Sequence, residues 1–205
     1  VAILEMFHKS CYDAETIWNY AKSLGHEVCA KVQVNNSWEC STIPYLPVFV
    51  LVYEHLDNLS KIGVFDYMLS WTLGGYPSPS LDLTSKFNDD FNLDKWYEEK
   101  FKGDANTVHR GVKLICDGFR EYPFSISSLY YSPKTLGFAN LWEKESSQKT
   151  STMVCFAYDD YETWTTPYDY ETYISQYEKL LKKWKEGLEE LKKVEQTEII
   201  KEMVL

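Results

Sequence analysis

Between Asp13 and Tyr76 the chain alternates two hydrophobic periodicities, and that alternation limits its fold more than any other feature. The run from Asp13 to Leu24 sets Ile17, Tyr20, Ala21 and Leu24 at helical spacing, with Asp13 as N-cap and Gly25 as stop. Glu27 to Val34 then alternates and is Val-rich, as a strand does. A second helix is expected from about Pro47, with Val48, Leu51, Val52, Leu56 and Leu59 as its apolar stripe and Gly63 past its end. Val64 to Ser70 reads as a second strand, and the apolar start, Ala2 to Met6, as an earlier one. The order strand, helix, strand, helix, strand predicts βα units on a parallel sheet. In such sheets the loops after the strands carry chemistry and the opposite turns carry stability. Here the helix-to-strand turns, Gly25–His26 and Ile62–Gly63, are minimal, while the strand-to-helix loops are long and rich in Asn, Trp, Glu, Tyr and Pro.

The texture changes after about residue 85. Helices are expected over Leu93 to Phe101 and Thr107 to Tyr122, extended stretches over Ser125 to Tyr131 and Thr152 to Tyr158, and one long helix from about Tyr170 to Met203. The second half of that helix pairs Lys with Glu at i,i+4, as in Glu178 with Lys182 and Glu189 with Lys193, which suits a solvated face. The chain thus divides into βα units over 1–85 and a mostly helical region over 86–205. Three parallel strands leave Val-rich edges open. The first residues carry neither an initiator Met nor a signal-peptide pattern. The start therefore reads as lying inside a longer sequence, with an N-terminal half or a second copy of the chain to cover the edges.

Charge excludes one class of partner. Asp and Glu number 31 against 21 Lys and Arg, a net charge of -10, so a phosphate backbone is repelled and no nucleic acid is expected. No apolar stretch approaches the roughly 20 residues of a membrane span, so no membrane is expected either. The 5 cysteines are odd in number and widely spread, with no CxxC pair, which fits a reducing, cytoplasmic location. His8, His26, His55 and His109 form no zinc motif, Gly74-Gly75 matches no nucleotide loop, and no GxSxG elbow is present; no metal or organic cofactor is expected. Aromatic residues make up 16% of the chain, with 16 Tyr and 7 Trp. That exceeds what a core of this size needs, so some rings face water or a ligand.

Three clusters combine rings with polar groups. The first is Gln33, Asn35, Asn36, Trp38 and Glu39, after one strand. Amides and carboxylates hydrogen-bond vicinal hydroxyls, and an indole stacks on the C–H face of a sugar ring, so the mixture suits carbohydrate. An Asx turn with Trp38 in the core would give the same residues a purely structural role. The second is Ser70 to Tyr76 after the next strand, where Trp71 and Tyr76 flank two glycines that permit close backbone approach. The third joins Asp159 and Asp160 to Tyr158, Tyr161 and Trp164.

The segments KVQVNNSWECSTIPYLPV, YMLSWTLGGYPSPSLDL, GFREYPFSISSLYYSP, FANLWE and TMVCFAYDDYETW resemble the C-terminal part of bacterial glycoside-hydrolase-like proteins related to the family 20 β-N-acetylhexosaminidases. The resemblance spans nearly the whole chain. It implies an α/β fold, the last βα units of a TIM-type (β/α)8 barrel followed by a mostly helical extension, and removal of a terminal sugar, an N-acetylhexosamine, by acid/base chemistry. Trp38 and Glu39 then map onto a late-strand substrate-side position and Trp71 onto the pocket wall. The family's Asp-Glu pair would lie upstream of Val1, which leaves Glu39 as the candidate catalytic carboxylate. Gln33, Asn35, Asn36, Trp38, Trp71, Tyr76, Asp159 and Asp160 are the candidate sugar-binding residues. Two alternatives stay open: a non-catalytic carbohydrate-binding or interaction module, and a structural fragment that needs a missing N-terminal half.

Overall fold

A computed structural model describes residues 12–35, 43–69, 76–125, 128–129 and 165–204. The elements, in chain order, are α1 (Tyr12–Ser23), β1 (Cys29–Val32), α2 (Phe49–Lys61), β2 (Asp66–Leu69), α3 (Pro79–Lys86), α4 (Leu93–Phe101), a single 3-10 turn, α5 (Ala105–Phe119), α6 (Tyr170–Leu191) and α7 (Glu198–Val204). The first four follow the expected order. Gly25 and Gly63 end α1 and α2 in the left-handed region, at φ +82° and +70°, where glycine carries no Cβ penalty. The Lys22 ammonium, in the last turn of α1, donates to the Ile62 carbonyl at the end of α2, which offsets the negative end of that helix.

The barrel expectation is overturned. Among the described residues the sheet has two strands only, β1 and β2, parallel and in register from Cys29 with Asp66 to Val32 with Leu69. Every other described residue is in helix, turn or loop. Strands of a parallel barrel are buried on both faces. Here Ala30 and Val32 of β1 are buried, but Met68 of β2 is 59% exposed, and Phe65 just before it 55%. After β2 three helices follow in succession, and they pack on other helices. The periodicity identified α1, β1, α2 and β2 as elements, yet it carries no information on how many strands pair. The strand expected over Ala2 to Met6 lies outside the described residues.

Two further expectations change. The sequence predicts an extended Ser125 to Tyr131, but of the residues described there Ser128 and Leu129 are helical, and the Leu129 N–H donates to the Ser125 carbonyl at 2.9 Å. The long terminal helix is broken between Leu191 and Glu198, so α7 runs as a separate element. The Lys193 partner is Glu190, one residue nearer than the expected Glu189, and Glu189 pairs with Lys192 at 2.7 Å. The stretch Thr152 to Tyr158 lies outside the described residues.

The core gathers the apolar stripe of α2 (Phe49, Leu51, Val52, Leu56, Leu59) with that of α5 (Val108, Val112, Ile115, Cys116, Phe119) and the rings of Trp96 and Tyr97. The tightest contact is α5 against α6. A Cβ on Gly187 would lie 2.6 Å from the Gly111 carbonyl oxygen and 2.7 Å from Ile115 Cγ1, and one on Gly118 2.9 Å from the Leu180 carbonyl oxygen. The two backbones touch there, so no side chain fits between them.

Candidate functional site at the strand ends

Because β1 and β2 are parallel, both chain directions leave the sheet at the same end. The first loop begins at Gln33, which is half-buried, and continues to Asn35, which is fully buried. The Asn35 amide uses both of its ends. Its Nδ2 donates to the Tyr76 carbonyl at 3.1 Å, and its Oδ1 accepts from the Ser78 hydroxyl at 2.5 Å. The two loops are therefore joined at this point by side-chain hydrogen bonds between residues more than 40 apart in sequence. A buried amide left unpaired would cost about 1–3 kcal/mol, so this pairing fixes the loop ends.

Ser78 has a second task. Its hydroxyl oxygen accepts the Leu81 N–H at 3.2 Å, capping α3, and Pro79 occupies the first helical position. The cap aims α3 so that Asp82 lies beside Lys100 of α4. One carboxylate oxygen of Asp82 accepts from the Trp96 indole N–H at 2.9 Å and lies 3.1 Å from Lys100 Nζ, while Lys86 approaches the other at 3.2 Å. Burial alone would raise the Asp82 pKa, but the donors Trp96, Lys100 and Lys86 outweigh it and hold the carboxyl below its ordinary value. Asp82 is thus a fixed anion and an acceptor.

Tyr76 stands at the rim, 39% exposed. Its ring stacks on buried Tyr45, with centroids 6.0 Å apart and planes at 27°. The two phenols share one carboxylate: Tyr76 donates to Glu202 Oε1 at 2.9 Å and Tyr45 to Oε2 at 3.2 Å. Burial, followed by the Glu202 charge, raises the Tyr45 pKa; for Tyr76 the hydrogen bond to Glu202 is the main cause of the rise. Both phenols stay protonated and act as donors. Glu202, from α7, also lines a depression of about 580 Å³ with Asp82, Lys100, Ser85, Leu81 and Ile199. Carboxylates, an ammonium, a hydroxyl and an apolar floor meet in one concavity, the mixture that fits a hydroxyl-rich ligand with an apolar face.

Of the residues singled out in the sequence, Gln33, Asn35 and Tyr76 are placed, and Asn35 and Tyr76 are brought together. Asn36, Trp38, Glu39, Trp71, Asp159 and Asp160 lie outside the described residues. Tyr45, Ser78, Asp82, Lys100 and Glu202 were not anticipated. Ser78-Pro79 followed by Asp82 is a legible helix start; nothing local marks Glu202. Among the described residues no group of three His, Cys, Asp or Glu side chains is arranged to hold a metal ion, and no helix is long and apolar enough to cross a membrane. The chain matches no protein-family model, no curated protein and no solved structure.

Proposed function

We propose that this chain is glycoside hydrolase-like and that the strand-end rim recognises a terminal sugar of a glycan, an N-acetylhexosamine in the first instance. The observation that carries the reading is the convergence at the rim: Asn35 ties the two loops together, and the Tyr45–Tyr76–Glu202 cluster stands beside a depression of mixed acceptors, donor and apolar floor. Glu39 is the proposed catalytic carboxylate, and Asn36, Trp38 and Trp71 are proposed sugar-binding residues on the grounds of their chemistry alone. The proposed compartment is the cytoplasm, a reading that rests on the spread, odd-numbered cysteines of the sequence.

The test is a titration with N-acetylglucosamine followed by Trp fluorescence, run beside release of phenol from an aryl N-acetylglucosaminide. Saturable binding with phenol release that Glu39→Gln abolishes is the expected result. Absence of any saturable response at tens of millimolar sugar sinks the reading.

A second reading, a non-catalytic carbohydrate-binding module, is favoured by one specific feature. Asp82 is held ionised and Glu202 already accepts hydrogen bonds from two phenols, so both are engaged as hydrogen-bond acceptors, the role that binding requires. Binding without phenol release is its signature.

A further inference from the structure

The two carboxylates of the depression differ in how their charge is met. Asp82 has two ammonium groups within 3.2 Å, from Lys100 and Lys86. Glu202 has only the neutral phenols of Tyr45 and Tyr76; among the described residues no cation pairs with it. Each of its oxygens accepts one hydrogen bond and keeps a lone-pair direction for another. It is held on both oxygens by residues of the rim, 126 and 157 positions away in sequence, so its orientation is fixed before a ligand arrives. A fixed, uncompensated anion beside an apolar floor strengthens its bonds to donors and repels anions, because a partly buried charge is less screened than one in water.

From this we infer that Glu202, brought by the C-terminal helix, is a specificity-determining residue of the site. It selects a sugar that presents hydroxyl or ammonium donors and rejects a sugar that carries a carboxylate. Lys100, the one cation among the described residues that line the depression, acts in the opposite sense. The inference rests on the saccharide reading above and names the ligand class within it.

Three monosaccharides of one ring shape separate the alternatives: glucosamine, N-acetylglucosamine and glucuronate. The probe is the Trp96 indole N–H resonance, assigned by its loss in Trp96→Phe, because that group donates to Asp82 at the edge of the depression. The native chain is expected to bind glucosamine and N-acetylglucosamine in preference to glucuronate. Glu202→Gln keeps the shape and removes the charge, and is expected to lower the glucosamine-to-glucuronate affinity ratio by about tenfold, the worth of one charge-assisted hydrogen bond. Lys100→Gln is expected to raise that ratio. An unchanged ratio in Glu202→Gln, or a native preference for glucuronate, overturns the role of Glu202 and leaves the saccharide reading standing. Failure of all three sugars to shift the resonance in the native chain overturns both. Because the measured quantity is a ratio, a general loss of packing, which weakens all three ligands together, does not imitate the expected result. If Glu202→Gln does not fold, the native glucosamine-to-glucuronate affinity ratio still tests the inference, and a ratio at or below one overturns it.

Discussion

The α5–α6 contact and the strand-end rim are built on opposite physical terms. The helix pair is apolar and close, with Gly111, Gly118 and Gly187 letting backbone meet backbone and Leu191 and Ile115 filling the flanks. The rim instead keeps polar groups beside apolar ones. Asn35 is fully buried and paired on both ends, and two phenols converge on one carboxylate. At the first region the close contact is made by backbone and apolar side chains. In the second, directional bonds leave a carboxylate, an ammonium and a ring edge in reach of solvent. The comparison teaches that stability and candidate chemistry occupy different parts of this molecule, as they do where a rigid scaffold carries a polar site.

If the regions are separate, damage to one should leave the other intact. The largest effect is expected at the helix pair. Gly187→Ala puts a methyl 2.6 Å from a carbonyl oxygen, so the variant should lose about 2–3 kcal/mol in urea unfolding, with the Trp96 indole resonance of the folded form unmoved. A loss under about 0.5 kcal/mol would mean that α5 and α6 do not touch as described. Asn35→Ala leaves the Tyr76 carbonyl and the Ser78 hydroxyl without their buried partner, and should cost about 2 kcal/mol together with sugar affinity. An Asn35 variant of native stability and affinity would separate the two loops and break the comparison.

Smaller effects sharpen it. Ser78→Ala removes the α3 cap and one Asn35 contact and should cost about 1 kcal/mol. At Tyr97 the sign reverses. Its buried hydroxyl has no hydrogen-bond partner among the described residues, although its ring stacks on His109 at 4.3 Å. Tyr97→Phe should therefore be neutral or stabilising by up to about 1 kcal/mol, measured by the urea midpoint. The smallest effect is a pH dependence. The folded Asp82 pKa is depressed below its unfolded value of 3.8, so its contribution is complete above that value and is lost as pH falls through the lower folded pKa. Asp82→Asn should flatten the acid limb of the stability curve below about pH 4, by less than about 1 kcal/mol given the partial exposure of the ion pairs.

Much of the secondary structure was legible because it depends on neighbours along the chain. The α2 stripe, the Gly63 stop and the Leu93–Phe101 helix all follow from spacing and end signals within a dozen residues. The rim was legible in part. Asn35 and Tyr76 stood out as polar and aromatic residues after strands, and the parallel pairing puts those strand ends together. What was misread is the size of the sheet. A βα period looks the same in a two-stranded ribbon and in a barrel, and the choice depends on which faces find partners. Here the α5 stripe is buried against α6, whose first residue lies more than 50 positions further along the chain.

By itself the sequence determined the local order of helices and strands from α1 to β2, the acidic balance and the polar character of the loops, because each is set by short-range sterics, periodicity or composition. Only the tertiary structure decided that two strands pair, that helices close the core, and that Glu202 meets Tyr45 and Tyr76. Those outcomes depend on contacts between residues up to 157 apart, and local spacing carries no record of which distant surface a side chain will reach.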